Sequence, residues 1–242
     1  MNLSLFSLRS RKILKALQSP VALRALLRNK TLAASEHAAV LRLPLSTIVD
    51  VGANKGQFSL AMRSQSNASI YAFEPLSKAA EICRKNFAND NNFVLFEAAI
   101  GDSLGSQMIH VSASDDSSSL LSIGTAQTDN FPGTYEVGQE MVTVGPLSHF
   151  ITHEKLDKRC LLKLDVQGFE LQALKGCSDY FDKFHYVYCE CSFVELYEGQ
   201  ALISEVVSYL KQHFFDLTGV YNLQTAKDGS CLQADFLFSK AL

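Results

Sequence analysis

Apolar runs alternate with helical patterns along the chain from Leu45 onward. The apolar runs predict strands at residues 47–51, 70–74, 93–99, 160–165, 185–190, 213–218 and 234–239. Apolar residues at helical spacing predict helices near residues 57–65, 77–88, 170–177 and 200–212. Residues 93–96 and 161–164 are almost continuously apolar, as in strands buried on both faces of a parallel sheet. The pattern therefore predicts an α/β fold.

One polar segment interrupts this alternation. Residues 101–139 stand where the repeat would place a helix, and they include a serine-rich stretch at 112–119. A long loop inside a compact domain is usually functional or disordered. Short β-like runs at 107–111 and 141–144 predict a small hairpin-like excursion over the carboxyl edge of the sheet, where a lid would lie.

The first part of the chain differs in charge from the rest. Residues 1–35 contain no acid and seven cations, which are Arg9, Arg11, Lys12, Lys15, Arg24, Arg28 and Lys30. Its apolar pattern is partly amphipathic and is interrupted at Pro20. We divide the chain into a basic helical extension at 1–44 and a catalytic domain at 45–242. Three interpretations of the extension stay open: helices packed on the domain, a peripheral contact of residues 1–35 with an anionic membrane or a partner, and an organellar transit peptide.

Composition predicts a soluble globular protein of the cytoplasm, and the extension leaves open a peripheral membrane contact. The 242 residues are 47% hydrophobic and 19% charged, and no apolar run approaches the roughly 18 residues of a membrane span. Six cysteines without a C-x-x-C pattern predict reduced thiols and no metal site. We expect Cys189 and Cys191 to point to opposite faces of a strand. The acidic body of the chain disfavours nucleic acid as a partner.

Residues 47–56 predict a nucleotide site. An apolar strand, a glycine turn and a helix place backbone N–H groups at the carboxyl edge of a sheet. Glu74 follows Gly52 by 22 residues, close to the roughly 20-residue spacing at which such folds offer an acid to ribose hydroxyls. A plain strand-to-helix turn is the alternative explanation of the glycines alone, and the acid at this spacing argues against it.

The residues of the turn indicate which nucleotide it would bind. Asn54 takes the place of the second glycine of G-x-G-x-x-G, and the spacing from Gly52 to Lys55 does not fit a triphosphate loop. D-x-G-x-N-x-G followed by an acid is more similar to the S-adenosylmethionine site of class I methyltransferases. A nicotinamide-dependent oxidoreductase is the rival enzyme hypothesis, although the chain lacks the middle glycine and a Tyr-x-x-x-Lys pair.

A second group of polar residues follows the fourth predicted strand, at 163–170. Side chains at the carboxyl ends of strands face the ligand crevice of an open α/β sheet, so Asp165 should face the reaction centre. Asp165 is the first candidate for a general base, and Glu190 at the end of the fifth strand is the second, together with Glu195. His149 and His153 are weaker candidates on loops.

Seven motifs in this order resemble the FkbM-type S-adenosylmethionine-dependent methyltransferases. They are D-V-G-A-N-K-G at 50–56, A-F-E-P at 72–75, A-I-G-D-S-L-G at 99–105, S-S-L at 118–120, K-L-D-V-Q-G-F-E at 163–170, L-K-G at 174–176 and E-L-Y-E-G-Q at 195–200. The resemblance covers residues 45–240. It implies a Rossmann-like sheet, mostly parallel with the last strand antiparallel, and methyl transfer to a hydroxyl of a sugar, glycan or secondary metabolite.

The resemblance also implies roles for single residues. The methionine part of the cofactor would be held by Asp50, Gly52, Ala53, Asn54 and Gly56. Glu74 would bind the ribose, the turn from Ala99 to Asp102 would border the adenine, and Asp165 would line the transfer site. The chain departs from the family where Gln167 stands in place of a glutamate, and at 145–149 in place of a T-L-D segment. These departures keep open a non-catalytic binding module as a further alternative.

Overall fold

A seven-stranded sheet forms the centre of the part of the chain that the structure, a computed structural model, describes, namely residues 19–114, 116–157 and 159–241. Its strand order is β3-β2-β1-β7-β8-β10-β9. The strands are β1 (Thr47–Val51), β2 (Ser69–Phe73), β3 (Phe93–Phe96), β7 (Cys160–Leu164), β8 (Phe184–Ser192), β9 (Phe215–Thr225) and β10 (Cys231–Lys240). Neighbours among β1, β2, β3, β7 and β8 are parallel, and β10 is antiparallel to β8 and β9. The predicted α/β fold with an antiparallel last strand is confirmed.

The described ranges contain seven α-helices, and helices pack on both faces of this sheet. They are α1 (Pro20–Asn29), α2 (Gln57–Arg63), α3 (Ser77–Asn86), α4 (Thr125–Asn130), α5 (Leu147–Phe150), α6 (Glu170–Cys177) and α7 (Ile203–Gln212). Successive residues of β1 point to opposite faces: Val49 packs in a cluster with residues of α5, α6 and α7, whereas Ile48 packs with Phe58 and Met62 of α2. All five residues of β1 are buried, as expected for a central strand covered on both faces.

A second, three-stranded sheet covers the carboxyl edge of the first. It contains β4 (Ala99–Ile100), β5 (Gly105–Ser112) and β6 (Glu136–Gly145), in the order β4-β6-β5. The predicted hairpin-like excursion is confirmed, but its strands are longer than the apolar runs indicated. The single strand predicted at 93–99 is split, because Ala99 leaves the main sheet and pairs with Val144 of β6.

The described part of the extension packs on the domain. Ser19 caps α1, and Pro20 is its first residue. Proline is tolerated there because the backbone N–H of the first helical residue has no partner within the helix. Ala25 packs with Leu60, Cys83 and Phe87. This agrees with the first of the three interpretations for residues 19–44. Residues 1–18 lie outside the described residues, and with them four of the seven cations.

Two further expectations meet the structure here. No helix in the described ranges has both the length and the apolar character that crossing a bilayer requires. Cys189 and Cys191 were expected on opposite faces of their strand, and this was wrong. Residues two apart in a strand share a face, and the two Sγ atoms lie 3.3 Å apart.

Candidate active site

The turn between β1 and α2 requires glycine at its first position. Gly52 has φ +74°, and a Cβ atom built on it would lie 1.8 Å from the carbonyl oxygen of Asp165. Its amide and that of Ala53 donate to the Phe73 carbonyl oxygen at 3.0 and 2.9 Å. Asn54 continues the turn with φ +49°, a left-handed conformation that asparagine tolerates. The turn therefore lies closely against the carboxyl ends of β2 and β7.

Glu74 closes this turn from the end of β2. Its carboxylate accepts hydrogen bonds from the backbone amides of Asn54 at 2.8 Å and Leu76 at 2.9 Å. Burial raises the pKa of Glu74 to about 7, although these two amides act in the opposite direction. Each carboxylate oxygen can accept a second hydrogen bond. The side chain lines a cavity, so those positions are available to the hydroxyls of a ligand.

A buried ion pair lies behind the turn. Lys163 of β7 places Nζ 3.0 Å from Asp50 Oδ1 and donates to the Gly52 carbonyl oxygen at 2.8 Å. Ser59 donates to the second Asp50 oxygen at 2.6 Å. Burial lowers the pKa of Lys163, but the charges of Asp50 and Asp165 outweigh it, so the pKa is raised and the ammonium stays charged. The pair thus anchors the turn to the sheet.

The turn, the second sheet and the extension together enclose a cavity of about 250 Å³. One part of its wall is apolar, formed by Phe73, Leu76, Ala98, Ala99, Ile100, Ile109, Leu120 and Phe169. The lid contributes Asp116, Ser118 and Ser119, and the extension contributes Ala34, Glu36 and His37. The predicted lid therefore takes part in the cavity.

The charges on the cavity wall are mostly negative. Among the described lining residues four are carboxylates, namely Glu36, Glu74, Asp116 and Asp165, and the basic side chains are Lys163 and His37. Lys163 is already paired with Asp50. Where these carboxylates are ionised, they attract a cationic ligand and oppose a pyrophosphate.

Gln167 connects two carboxylates at the ends of β7 and β8. Its Nε2 donates to Asp165 Oδ1 and to Glu190 Oε2, each at 2.9 Å, and its Oε1 accepts from the Tyr197 hydroxyl at 2.7 Å. Gln233 donates to the other Glu190 oxygen at 2.9 Å. Burial raises the pKa of Asp165 and, further, that of Glu190. The neutral amide holds together two acids that would repel each other if both were charged.

Comparison with known families decides between the possible cofactors. A model of the methyltransferase FkbM domain matches residues 50–217, more than half of the chain. The chain belongs to the FkbM methyltransferase family. The resemblance carried by the seven motifs is thereby confirmed, and S-adenosylmethionine is the cofactor that this family and fold use.

Two curated proteins are similar over most of the FkbM chain. The 2-O-methyltransferase NoeI of Sinorhizobium fredii is 30% identical over 178 residues, which cover 71% of this chain and 73% of the relative. Methyltransferase sdnD of Sordaria araneosa is 28% identical over 195 residues, covering 71% of this chain and 74% of the relative.

A solved structure supports the fold of this FkbM methyltransferase. The crystal structure of methyltransferase FkbM from Methylobacillus flagellatus matches with a TM-score of 0.50 at 14% sequence identity. The match covers 79% of this chain and 43% of that one, so the chain spans less than half of that protein's length. At this identity the likeness concerns the fold alone.

The residues that line the cavity fit S-adenosylmethionine. Glu74 offers unused acceptor positions for ribose hydroxyls, and the apolar wall around Ala99 offers a slot for a base. The turn at Gly52, Ala53 and Asn54 borders the same cavity, whose negative wall suits a positively charged sulfur. The described residues contain no group of three or more His, Cys, Asp or Glu side chains that could hold a metal ion.

Three residues that the resemblance implied at the cofactor lie elsewhere. Asp50 is fully buried behind the turn, where Lys163 and Ser59 occupy its carboxylate. Gly56 faces α3, since a Cβ atom there would lie 2.7 Å from the Phe87 ring. Asp102 is exposed outside the cavity and accepts from Ser103. Asp50 and Gly56 thus take part in the packing around the turn, whereas Asp102 does not.

Of the residues predicted to act in the transfer step, only Asp165 lines the described cavity. Asp165 lines the cavity with 41% of its side chain exposed, as predicted. Glu190, predicted as the second candidate for a base, does not line the cavity, and each of its carboxylate oxygens accepts a hydrogen bond from a glutamine amide. Glu195, His149 and His153 are also absent from the wall. Sequence reasoning missed His37, which lines the cavity from the extension, and Tyr197, which reaches the site only through its hydrogen bond to Gln167.

Proposed function

We propose that this chain transfers the methyl group of S-adenosylmethionine to a hydroxyl of a sugar or another small hydroxylated molecule. One observation carries the proposal: Glu74 and Asp165 line the same cavity from two strand ends, with serine hydroxyls of the lid beside them. The name of the relative NoeI, a 2-O-methyltransferase at 30% identity, supports oxygen as the accepting atom.

The proposed roles follow the position of each residue in the wall. The backbone of Gly52, Ala53 and Asn54 borders the methionine part, and Glu74 accepts from the ribose hydroxyls. The apolar wall at Ala99 packs against the adenine. Asp165 contacts the acceptor. Glu190 acts behind it, through Gln167, as a positioning residue, and Asp50 holds the turn in place.

The main task of these residues is alignment. When bound, S-adenosylmethionine supplies an electrophilic methyl group on a positively charged sulfur. Reaction requires the acceptor oxygen about 3–3.5 Å from that carbon and in line with the breaking bond. Asp165, which lines the cavity, can accept a hydrogen bond from a hydroxyl of the substrate next to the reacting one and so orient the molecule. The lid serines Ser118 and Ser119 can bind neighbouring hydroxyls, and the lid keeps water away.

Two measurements on the purified chain test the proposal. Calorimetry with S-adenosylmethionine and with NAD should detect binding of the first and not of the second. Radiolabelled methyl transfer to a panel of methyl glycosides, separated by chromatography, should then detect a methylated sugar. Binding of NAD in place of S-adenosylmethionine would support the oxidoreductase hypothesis. Cofactor binding without transfer to any hydroxylated acceptor would instead support a binding module.

A further inference from the structure

A histidine of the extension reaches the cavity. His37 ends a short 3₁₀ turn, Ser35–His37, and lines the cavity wall. Its ring packs edge-on against Phe58, with centroids 5.4 Å apart, and against Tyr188 at 5.5 Å. The side chain belongs to no motif of the family, and neither His37 nor its partner Asp235 falls within the matched residues 50–217.

One edge of the imidazole is held by a buried acid. His37 Nδ1 lies 2.9 Å from the Tyr188 hydroxyl oxygen and 3.4 Å from Asp235 Oδ2. Tyr188 donates its hydroxyl to the same Asp235 oxygen at 2.9 Å, and the Asn222 amide donates to it at 2.6 Å. Asp235 is 8% exposed, so its charge is compensated by these donors and by the histidine rather than by water.

These bonds determine which nitrogen carries the proton. Burial and the charge of Asp235 raise the pKa of Tyr188, so the phenol keeps its proton, and that one proton goes to Asp235. The hydroxyl oxygen can then only accept from His37, which requires a proton on Nδ1. The other nitrogen, Nε2, carries the lone pair. No described residue donates a hydrogen bond to Nε2 or accepts one from it.

We propose that His37, held by Asp235, is the general base for the acceptor hydroxyl. The inference rests on the methyl transfer proposed above. As the oxygen–methyl bond forms, the methyl–sulfur bond breaks and its electron pair stays on sulfur, which becomes a neutral thioether. The hydroxyl proton passes to His37 Nε2. The resulting imidazolium is stabilised by Asp235, as in other histidine–carboxylate pairs, and the proton leaves to water after the product departs.

Asp165 is less suited to this step than His37. One of its oxygens accepts from Gln167 at 2.9 Å, and the other lies 3.9 Å from the Lys163 ammonium. An acid with these partners can orient an acceptor hydroxyl, while His37 offers an unoccupied basic nitrogen. The two residues thus divide the work: Asp165 accepts a hydrogen bond from a second hydroxyl of the substrate and so orients it, and His37 removes the proton of the reacting hydroxyl.

The first test compares His37→Gln with His185→Gln, an exposed histidine at the start of β8. We expect His37→Gln to bind S-adenosylmethionine within about threefold of the parent by calorimetry. The kcat for the best acceptor of the glycoside panel should fall about 10²–10⁴-fold, with little change in the acceptor KM. Added imidazole should restore part of the activity of His37→Ala. A kcat of His37→Gln within threefold of the parent would overturn the assignment.

The second test needs no turnover. Nitrogen chemical shifts of the chain labelled in its histidines should report a proton on His37 Nδ1 and a lone pair on Nε2. In Asp235→Asn, whose amide can donate to Nδ1, the proton should move to Nε2. A parent protein with the proton on Nε2 would refute the inference, even if no acceptor had been found. Absence of cofactor binding by the parent would instead count against the proposed methyl transfer, so the two failures are distinguishable.

Discussion

Glu74 accepts a hydrogen bond of 2.8 Å from the backbone amide of Asn54, so the acid expected at the ribose also holds the glycine turn. The acid at the end of β2 and the turn after β1 therefore form one unit. Asp165 lines the same cavity from β7 but makes no bond to this unit through its side chain in the described contacts. Cofactor affinity and turnover should accordingly depend on different carboxylates.

Substitution of Glu74 should weaken cofactor binding, and substitution of Asp165 should not. Hydrogen bonds to a charged group contribute about 1.5–3 kcal/mol, so Glu74→Gln should raise the Kd for S-adenosylmethionine about 10–100-fold. Asp165→Asn should keep the Kd and lower kcat by about 10²-fold, the effect of a misplaced acceptor. Calorimetry and methyl-transfer assays measure the two quantities, with exposed Glu81→Gln as the control. The reverse pattern would falsify these roles.

Alanine at Gly52 should cost more stability than alanine at another glycine of similar conformation. Gly133 also has a positive φ, +93°, but a Cβ atom there meets nothing within 4 Å. Both changes incur the left-handed conformation, about 1–2 kcal/mol. Gly52→Ala adds a clash with the Asp165 carbonyl oxygen, which we expect to cost a further 1–3 kcal/mol, about the range for overpacking, or to prevent folding. Urea denaturation of both variants gives the comparison, and equal losses would show that the turn can move.

Gln167→Glu, which restores the residue usual in the family, should destabilise this chain. The amide of Gln167 donates to both Asp165 and Glu190, and a carboxylate would donate to neither. We expect a loss of about 3 kcal/mol in the free energy of unfolding at pH 8. The loss should become smaller as the pH falls, because burial raises the pKa values of Asp165 and Glu190 and so brings their protonation to higher pH. The exposed Gln224→Glu on β9 is the control, and a loss independent of pH would contradict this explanation.

Glu170 should make stability depend on pH. Its carboxylate accepts from the amides of Val166 and Gly168, yet burial raises its pKa to about 7. In the unfolded chain the pKa is about 4.3. Between these values the folded state keeps a proton that the unfolded state has released, so the free energy of unfolding falls as pH rises, by up to about 1.4 kcal/mol per pH unit.

Glu170→Gln removes this titration and keeps the acceptor oxygen. The unfolding free energy of the parent minus that of Glu170→Gln should therefore decrease from pH 5 to pH 7 and level off above about pH 7. Glu74, whose pKa is also about 7, titrates in both proteins and cancels in the difference. Denaturation at pH 5, 6, 7 and 8 provides the measurement. A constant difference would mean that Glu170 is ionised throughout this range in the folded state.

The sequence by itself determined the alternation of strands and helices in the α/β fold, the glycine turn, Glu74 and Asp165 at the cavity, and the excursion over the edge of the sheet. These features depend on local periodicity and on one general rule, that the carboxyl ends of parallel strands share an edge. Gly52 is a clear case, because a backbone position with a positive φ favours glycine, and a glycine directly after an apolar strand can be recognised in the sequence.

Only the tertiary structure decided which polar side chains face the cavity. Asp50 and Glu190 both lie at strand positions typical of a site. However, Asp50 forms an ion pair with Lys163, and Glu190 accepts a hydrogen bond from Gln167. His37 reaches the cavity from the extension, and its ring lies beside Asp235, which is almost at the other end of the chain. Such pairings depend on how distant segments pack, and no local pattern of apolar and polar residues records that.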